Sequence, residues 1–282
     1  MKDKQLYWGW QVVTGAFLIL GIGYGARYCL GVFVKPMSLE YGWPRSVISI
    51  AASIMIFSYG LGGIFSGRLL DRLAPRWIMT AGVALLSAGF IMAAFLSEPW
   101  QFYLVYGLFC GLGSSFIGAV VCGTTISKWF VRKRGKAIGI ASIGIGIGTM
   151  LLTPLAGYVV RDYSWQTGFI LLGVIIFIVG GVAAQVFMGR TRPEDYGLLP
   201  DGDDGAVDPG GAEESLPAPA NLSVIPVLMD SRFWVMAFSY SLAVMVWASV
   251  SVHQVAHALD RNIDGIAAAS AVGVIGLTSI AG

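Results

Sequence analysis

The chain has 282 residues, of which 56% are hydrophobic, 12% aromatic and 12% charged, with a net charge of +2 and a mean hydropathy of +0.74. A soluble domain carries about 25% charged residues and a disordered chain combines low hydrophobicity with high charge, so this composition excludes both. The net charge is too small for a nucleic-acid binder, and an integral membrane protein remains.

A helix needs about 20 apolar residues to cross about 30 Å of hydrocarbon. Such runs fall at 10–34, 46–67, 77–96, 101–127, 137–160 and 167–188, then at 233–258 and 266–282. They predict six complete spans, a seventh, and an eighth about one turn short. The first run is too long for a signal peptide and lacks a small-residue cleavage site, so it reads as a retained span. Trp8, Trp10, Trp77, Trp100, Trp129, Trp165 and Trp234 lie at or beside span ends, where an interfacial aromatic belt is expected.

Basic residues set the orientation. Lys2, Lys4, Arg68, Arg72, Arg76, Lys128, Arg132, Lys133, Arg134, Lys136, Arg190, Arg192 and Arg232 share one side, against Lys35, Arg45, Arg161 and Arg261 on the other. The positive-inside rule then puts the N-terminus in the cytoplasm of a cell that carries this protein in its inner membrane. Residues 190–230 are acidic and proline-bearing, with Asp201, Asp203, Asp204, Asp208, Glu213 and Glu214, and read as a flexible cytoplasmic linker. This divides the chain into an N-terminal six-helix bundle over 1–189, the linker over 190–230, and the start of a C-terminal bundle over 231–282.

Ala269, Ser270 and Ser279-Ile280-Ala281-Gly282 echo Ala52, Ser53 and Ile64-Phe65-Ser66-Gly67, as in a repeat-built carrier. The last run ends on the final residue without a charged flank, and the chain reads as a fragment.

Arg27 is the one cation inside a span. A cation at the bilayer centre costs about 2.5–3.5 kcal/mol on insertion scales and marks substrate or ion paths. Counting from Trp10 at about 1.5 Å per residue puts it in the outer third of the membrane, where snorkelling to the headgroups is the alternative. Tyr24 shares its helix face and offers a hydroxyl to a carboxylate; Tyr28 follows it. His253 and His257 lie four apart on the seventh run, and either could titrate near physiological pH. The acids all fall in loops or at span ends, so a titrating group, if one is needed, is His253, a residue outside this chain, or the substrate. Cys29, Cys110 and Cys122 are dispersed apolar packing residues, with neither disulfide nor metal spacing. No nucleophile, metal cluster or acid–base pair points to an enzyme.

The fifth run holds Gly139, Gly144, Gly146, Gly148, Pro154 and Gly157. Gly144/Gly148, Gly63/Gly67 and Gly107/Gly111 are small-xxx-small pairs, which let helix backbones approach closely in lipid; Pro154 and the glycines also permit bending.

The loop Gly67-Arg68-Leu69-Leu70-Asp71-Arg72-Leu73-Ala74-Pro75-Arg76 resembles the signature loop of the major facilitator superfamily. Gly67, Leu69, Asp71 and Arg72 match, and Arg76 falls one place late. A carboxylate among cations at a helix end can latch two halves together by charge-assisted bonds, and the resemblance implies that Asp71, Arg72 and Arg76 hold the outward-open state. Gly9-Trp10, Gly15-Ala16-Phe17, Tyr24, Val32-Phe33-Val34-Lys35 and Trp129-Phe130-Val131-Arg132-Lys133-Arg134-Gly135-Lys136 resemble the monocarboxylate transporter branch. Arg192-Pro193-Glu194-Asp195-Tyr196-Gly197 to Gly202 is similar to the linker start of its bacterial relatives, which include oxalate/formate antiporters.

The branch implies a substrate-linked lysine, which an ungapped match places on Tyr28, and a histidine near His253. Together these readings imply an all-α transmembrane fragment of a twelve-helix major facilitator fold: a six-helix bundle and the first two helices of a second. They imply a secondary active transporter working by alternating access on a mono- or dicarboxylate, by proton symport or anion exchange. It would be monomeric, without cofactor, metal or nucleic acid. The alternatives are a carrier of an unrelated solute or drug, or a membrane sensor without transport.

Overall fold

The computed structural model describes residues 7–202, 226 and 229–281. Most of the expected linker lies outside the described residues, as do Lys2, Lys4 and Gly282. Six helices long and apolar enough to cross a membrane run Trp8–Tyr41, Arg45–Leu70, Pro75–Ala93, Pro99–Trp129, Arg134–Asp162 and Trp165–Val186. Two more follow, Ser231–Asp260 and Gly265–Ala281. Among the described residues there is no strand.

Local chemistry sets the ends. Gly42, at φ 65°, stops the first span in the left-handed conformation that glycine adopts at least cost. Pro75 opens the third span, where its missing N–H is of no consequence. Glu98 and Gln101 form a capping box at the head of the fourth. Ser164 accepts from the Thr167 backbone at 3.1 Å to cap the sixth, and Asp230 does the same for Arg232 at 2.9 Å on the seventh.

The loops fall on two faces. Tyr7, Trp129 and Asp201 meet on one, which also carries Asp71; Glu40, Trp165, Lys35 and Asp260 meet on the other. They are called here the Asp71 face and the Asp260 face.

Two spans are interrupted in mid-length. In the first, the Cys29 thiol donates to the Gly25 carbonyl at 3.1 Å. That carbonyl is the one the Cys29 backbone N–H would use in an α-helix, and the N–H turns instead to Ala26 and Arg27. A side chain inserted in the ladder is an established cause of a kink, and it divides the span into Trp8–Tyr28 and Leu30–Tyr41. The fourth breaks at Ile117 and Gly118, whose φ/ψ of −114°/6° and −76°/178° are not helical. A side chain on Gly118 would meet the Tyr59 hydroxyl at 2.7 Å, so glycine there makes room for that tyrosine.

Glycine decides the central packing. A Cβ on Gly21 would lie 2.9 Å from the Gly144 carbonyl oxygen, and one on Gly25 would lie 2.7 Å from the Gly148 carbonyl; the first and fifth spans therefore touch backbone to backbone. Gly107 and Gly111 pack likewise against Ile54, Met55 and Ser58 of the second span. The expected Gly63/Gly67 pair and Gly139 differ: a Cβ at any of them would meet nothing within 4 Å. The eighth span lies on the fifth, with Gly157 against Ala269 and Gly273 against Met150 and Pro154.

Toward the Asp260 face, spans one, three, four and six converge on a buried aromatic core. Phe33 stacks on Phe169 at 4.2 Å and Phe102 on Tyr106 at 5.1 Å. The aromatic belt is correspondingly thinner than expected. Trp77, Trp100 and Trp234 are exposed, but Trp129 and Trp165 are buried at their span ends, because each is absorbed by protein rather than by headgroups. Trp165 donates to the Glu40 carboxylate at 2.6 Å.

The residues after span six fold back under the bundle. Asp201 is 7% exposed, and its carboxylate accepts from the backbone N–H groups of Val131, Arg132 and Lys133 at 2.9–3.0 Å. Burial pushes this carboxyl up, but the three donors and the Lys133 charge outweigh it, so it titrates below its ordinary value of 3.8. Three successive N–H groups form an anion nest. A carboxyl held lower in the folded state than in the unfolded one stabilises fully above the ordinary range and loses that contribution as pH falls through the folded value. Asp201→Asn is therefore expected to lower the thermal midpoint in detergent at pH 7, by the equivalent of about 1–3 kcal/mol. The gap to wild type closes as pH drops below about 4; an equal gap at pH 7 and at acid pH would contradict this role.

Candidate functional site

Both interrupted spans border a cleft lined by Gly23, Tyr24, Arg27, Tyr59, Ser114 and Ile117. It holds about 10 Å³, room for about one water molecule. Ser114 is the central residue of the fourth span and Tyr59 lies near the middle of the second. Arg27 lies just past the middle of the first, which continues beyond the Cys29 kink and through Pro36 to Tyr41.

Arg27 is held by aromatic faces. Its guanidinium carbon lies 5.2 Å from the Tyr59 ring centre and 5.8 Å from that of Tyr24, within the range of a cation–π contact. The Tyr24 and Tyr59 hydroxyls are hydrogen-bonded at 2.9 Å, which pins the two rings to each other, and Tyr28 lies 5.9 Å from Tyr24, ring to ring. Ser114 Oγ is buried in the cleft wall without a hydrogen-bond partner, a costly state for a hydroxyl. Among the described residues no carboxylate pairs with Arg27, and the only buried acid is Asp201, at the Asp71 face. The cleft is thus a cation flanked by hydroxyls with no anion of its own, and its chemistry suits an anion with hydrogen-bond acceptors.

The structure brings Arg27, Tyr24 and Tyr28 together but leaves His253 apart. His253 is exposed and lies 3.5 Å from Ser49, four residues into the second span, whereas Tyr59 lies ten residues further along it. Ten residues of helix correspond to about 15 Å along its axis. Of the four lining residues that the sequence did not single out, Tyr59 and Ser114 are the ones with polar side chains. The available signal was weak: a tyrosine and a serine in mid-span, each within runs of small residues.

At the Asp71 face, Asp71 and Arg72 are exposed and Arg76 is half-buried, with its guanidinium 4.8 Å from the Trp77 ring. Among the described residues Asp71 makes no ion pair. Gly144 and Gly148 hold spans one and five together. Pro154 follows Thr153, whose hydroxyl receives the Cys29 thiol at 3.8 Å. Among the described residues no cluster could hold a metal ion.

The family model of the Major Facilitator Superfamily matches residues 16–282. The chain is 28% identical over 276 residues to monocarboxylate transporter 4 of Rattus norvegicus, covering 97% of this chain and 55% of that one. It is 27% identical over 267 residues to monocarboxylate transporter 11 of Homo sapiens, covering 95% and 53%. The match to human monocarboxylate transporter 2 is 32% over 169 residues, or 60% of this chain and 35% of the relative. The chain thus spans about half the length of the curated relatives it matches, or less. Among solved structures, tetrameric PepTSo2 superposes with a TM-score of 0.54 at 19% identity, over 96% of this chain and 54% of that one, a likeness of fold.

Proposed function

Because the chain belongs to the major facilitator superfamily, a family of multi-pass membrane transporters and not of enzymes, we propose that it carries a small organic anion, a mono- or dicarboxylate, by alternating access. The observation that carries this reading is Arg27: a mid-span cation with two tyrosine faces around it, an unpartnered serine hydroxyl nearby, and no protein carboxylate to neutralise it among the described residues. Keeping a cation there is expensive, and a carboxylate substrate would recover that cost by charge-assisted bonding. Tyr24 and Tyr59 would orient the guanidinium, and Ser114 would donate to a second substrate oxygen. The relatives named as monocarboxylate transporters favour the same class.

In this reading the Asp71 face, with its many basic residues, is cytoplasmic, the six-span bundle and the start of a second rock about the cleft, and the protein works as a monomer in the cell membrane. Coupling is to protons or to a counter-anion. His253 lies too far along span seven to touch a substrate on Arg27 in this conformation, so a contribution from it requires the bundles to move.

The test is uptake of labelled lactate, pyruvate, oxalate and formate into proteoliposomes, with and without an imposed pH gradient. Saturable uptake of at least one is expected; a gradient response identifies symport and its absence exchange. Uptake of none would remove the substrate class. The Asp71–Arg72–Arg76 latch predicts that Asp71→Asn lowers the maximal uptake rate several-fold with little change in the half-saturating concentration. Unchanged maximal uptake would sink it.

A further inference from the structure

The break in span four puts an aliphatic side chain into the wall of the cleft. Among the lining residues Gly23 has no side chain, Tyr24, Tyr59 and Ser114 carry hydroxyls, Arg27 carries the charge, and Ile117 is aliphatic. Ile117 is 2% exposed and its backbone is not helical. Both of its backbone groups are engaged: the N–H donates to the Ser114 carbonyl at 3.3 Å, and the carbonyl accepts from the Cys122 thiol at 3.6 Å. The side chain is wedged between two glycines. A Cβ on Gly23 of span one would lie 2.9 Å from Ile117 Cδ1, and one on Gly82 of span three would lie 2.9 Å from Ile117 Cγ2. Gly23 precedes Arg27 by four residues, about 6 Å along the helix axis, so this wall stands roughly one turn from the guanidinium.

We propose that Ile117 sets the length of carbon chain that the cleft accepts, its Cδ1 methyl meeting the tail of an anion whose carboxylate lies on Arg27, a role that rests on the carboxylate reading of that arginine. The carboxylate finds its partners in the guanidinium and the hydroxyls, and the apolar tail finds its own in the aliphatic wall. The wall is stiff, because its backbone is tied at both ends and its two branches lie against glycines of two other spans. The cleft has room for about one water molecule, so a single methyl group in the wall decides which tails fit. In an apolar pocket one methylene discriminates between ligands by about 10- to 200-fold.

Thermal melts of the detergent-solubilised protein against rising formate, acetate, propionate, butyrate and hexanoate, at constant ionic strength, test the wall. Half-saturating concentrations are compared for wild type, for Ile117→Val, and for the double variant Gly23→Ala with Ile117→Val. The first removes only Cδ1; the second returns a methyl group to the space that Cδ1 left. Ile117→Val is expected to shift the ratio of butyrate to acetate affinity about 10-fold toward butyrate, and the double variant to shift it back. A role in packing alone would move all the acids together and leave that ratio fixed. The same ratio in all three proteins would overturn the wall and leave the carboxylate reading intact. Binding of no acid by any of the three would remove the carboxylate reading and the wall with it.

Discussion

Arg27→Gln is expected to abolish saturable carboxylate uptake while leaving the protein folded. The guanidinium lies in mid-span between the Tyr24 and Tyr59 rings, and glutamine keeps part of its length and its hydrogen-bonding capacity but removes the charge. Taking one partner from a desolvated, hydrogen-bonded charge pair costs about 2–5 kcal/mol, which is roughly 30-fold to several-thousand-fold in affinity. Stability moves the other way: a cation is costly in mid-membrane, so the variant protein is expected to be no less stable than wild type. Arg27→Lys keeps the charge but loses the planar fork and its stacking on the rings, and is expected to retain weakened uptake. Tyr59→Phe removes only the hydroxyl bond to Tyr24 and is expected to do less than either. Uptake in Arg27→Gln equal to wild type would return the residue to a headgroup role.

Gly148→Leu is expected to prevent the bundle from assembling. A Cβ at Gly148 would collide with the Gly21 carbonyl and lie 2.7 Å from Gly21 Cα. Overpacking a core costs about 1–3 kcal/mol when side chains can yield; here the obstacle is backbone, so the cost exceeds that range. Close approach of small residues is also one of the few forces that hold helices together in lipid. Gly139→Leu is the internal control: it lies on the same helix but meets nothing within 4 Å. Comparing the two by detergent-resistant, monodisperse yield separates packing from helix propensity. Equal yields from both variants would contradict the glycine seam.

These two sites also mark how far the sequence could be read. The spans were legible because about 20 consecutive apolar residues have one solution in a bilayer, and the loop from Gly67 to Arg76 carried the family. Arg27 was legible because an ionised group in such a run is a local anomaly. Its partners were not: Tyr59 and Ser114 reach it from spans two and four, and nothing in a hydropathy pattern records which face of one helix meets which face of another. The breaks at Cys29 and Ile117–Gly118 were hidden for a related reason. The first depends on a thiol taking a neighbour's carbonyl, the second on room made for Tyr59. Small-xxx-small spacing found the Gly144/Gly148 seam but equally flagged Gly63/Gly67, which faces open space; spacing shows what could pack, and tertiary contact decides what does. Trp129 and Trp165 were placed correctly at span ends, yet their burial depends on neighbours far away in sequence.

The most direct test of the anion site is equilibrium binding without transport. Thermal melts of the detergent-solubilised protein would be recorded against rising lactate, pyruvate, oxalate and formate at constant ionic strength, for wild type, Arg27→Lys and Arg27→Gln. A ligand that binds the folded state stabilises it by mass action, by about 2.7 kcal/mol at a hundred times Kd. The predicted result is a saturable rise in Tm for wild type with at least one carboxylate, a smaller rise for Arg27→Lys, and none for Arg27→Gln. An equal rise in wild type and Arg27→Gln would show that the anion binds elsewhere and would contradict the account.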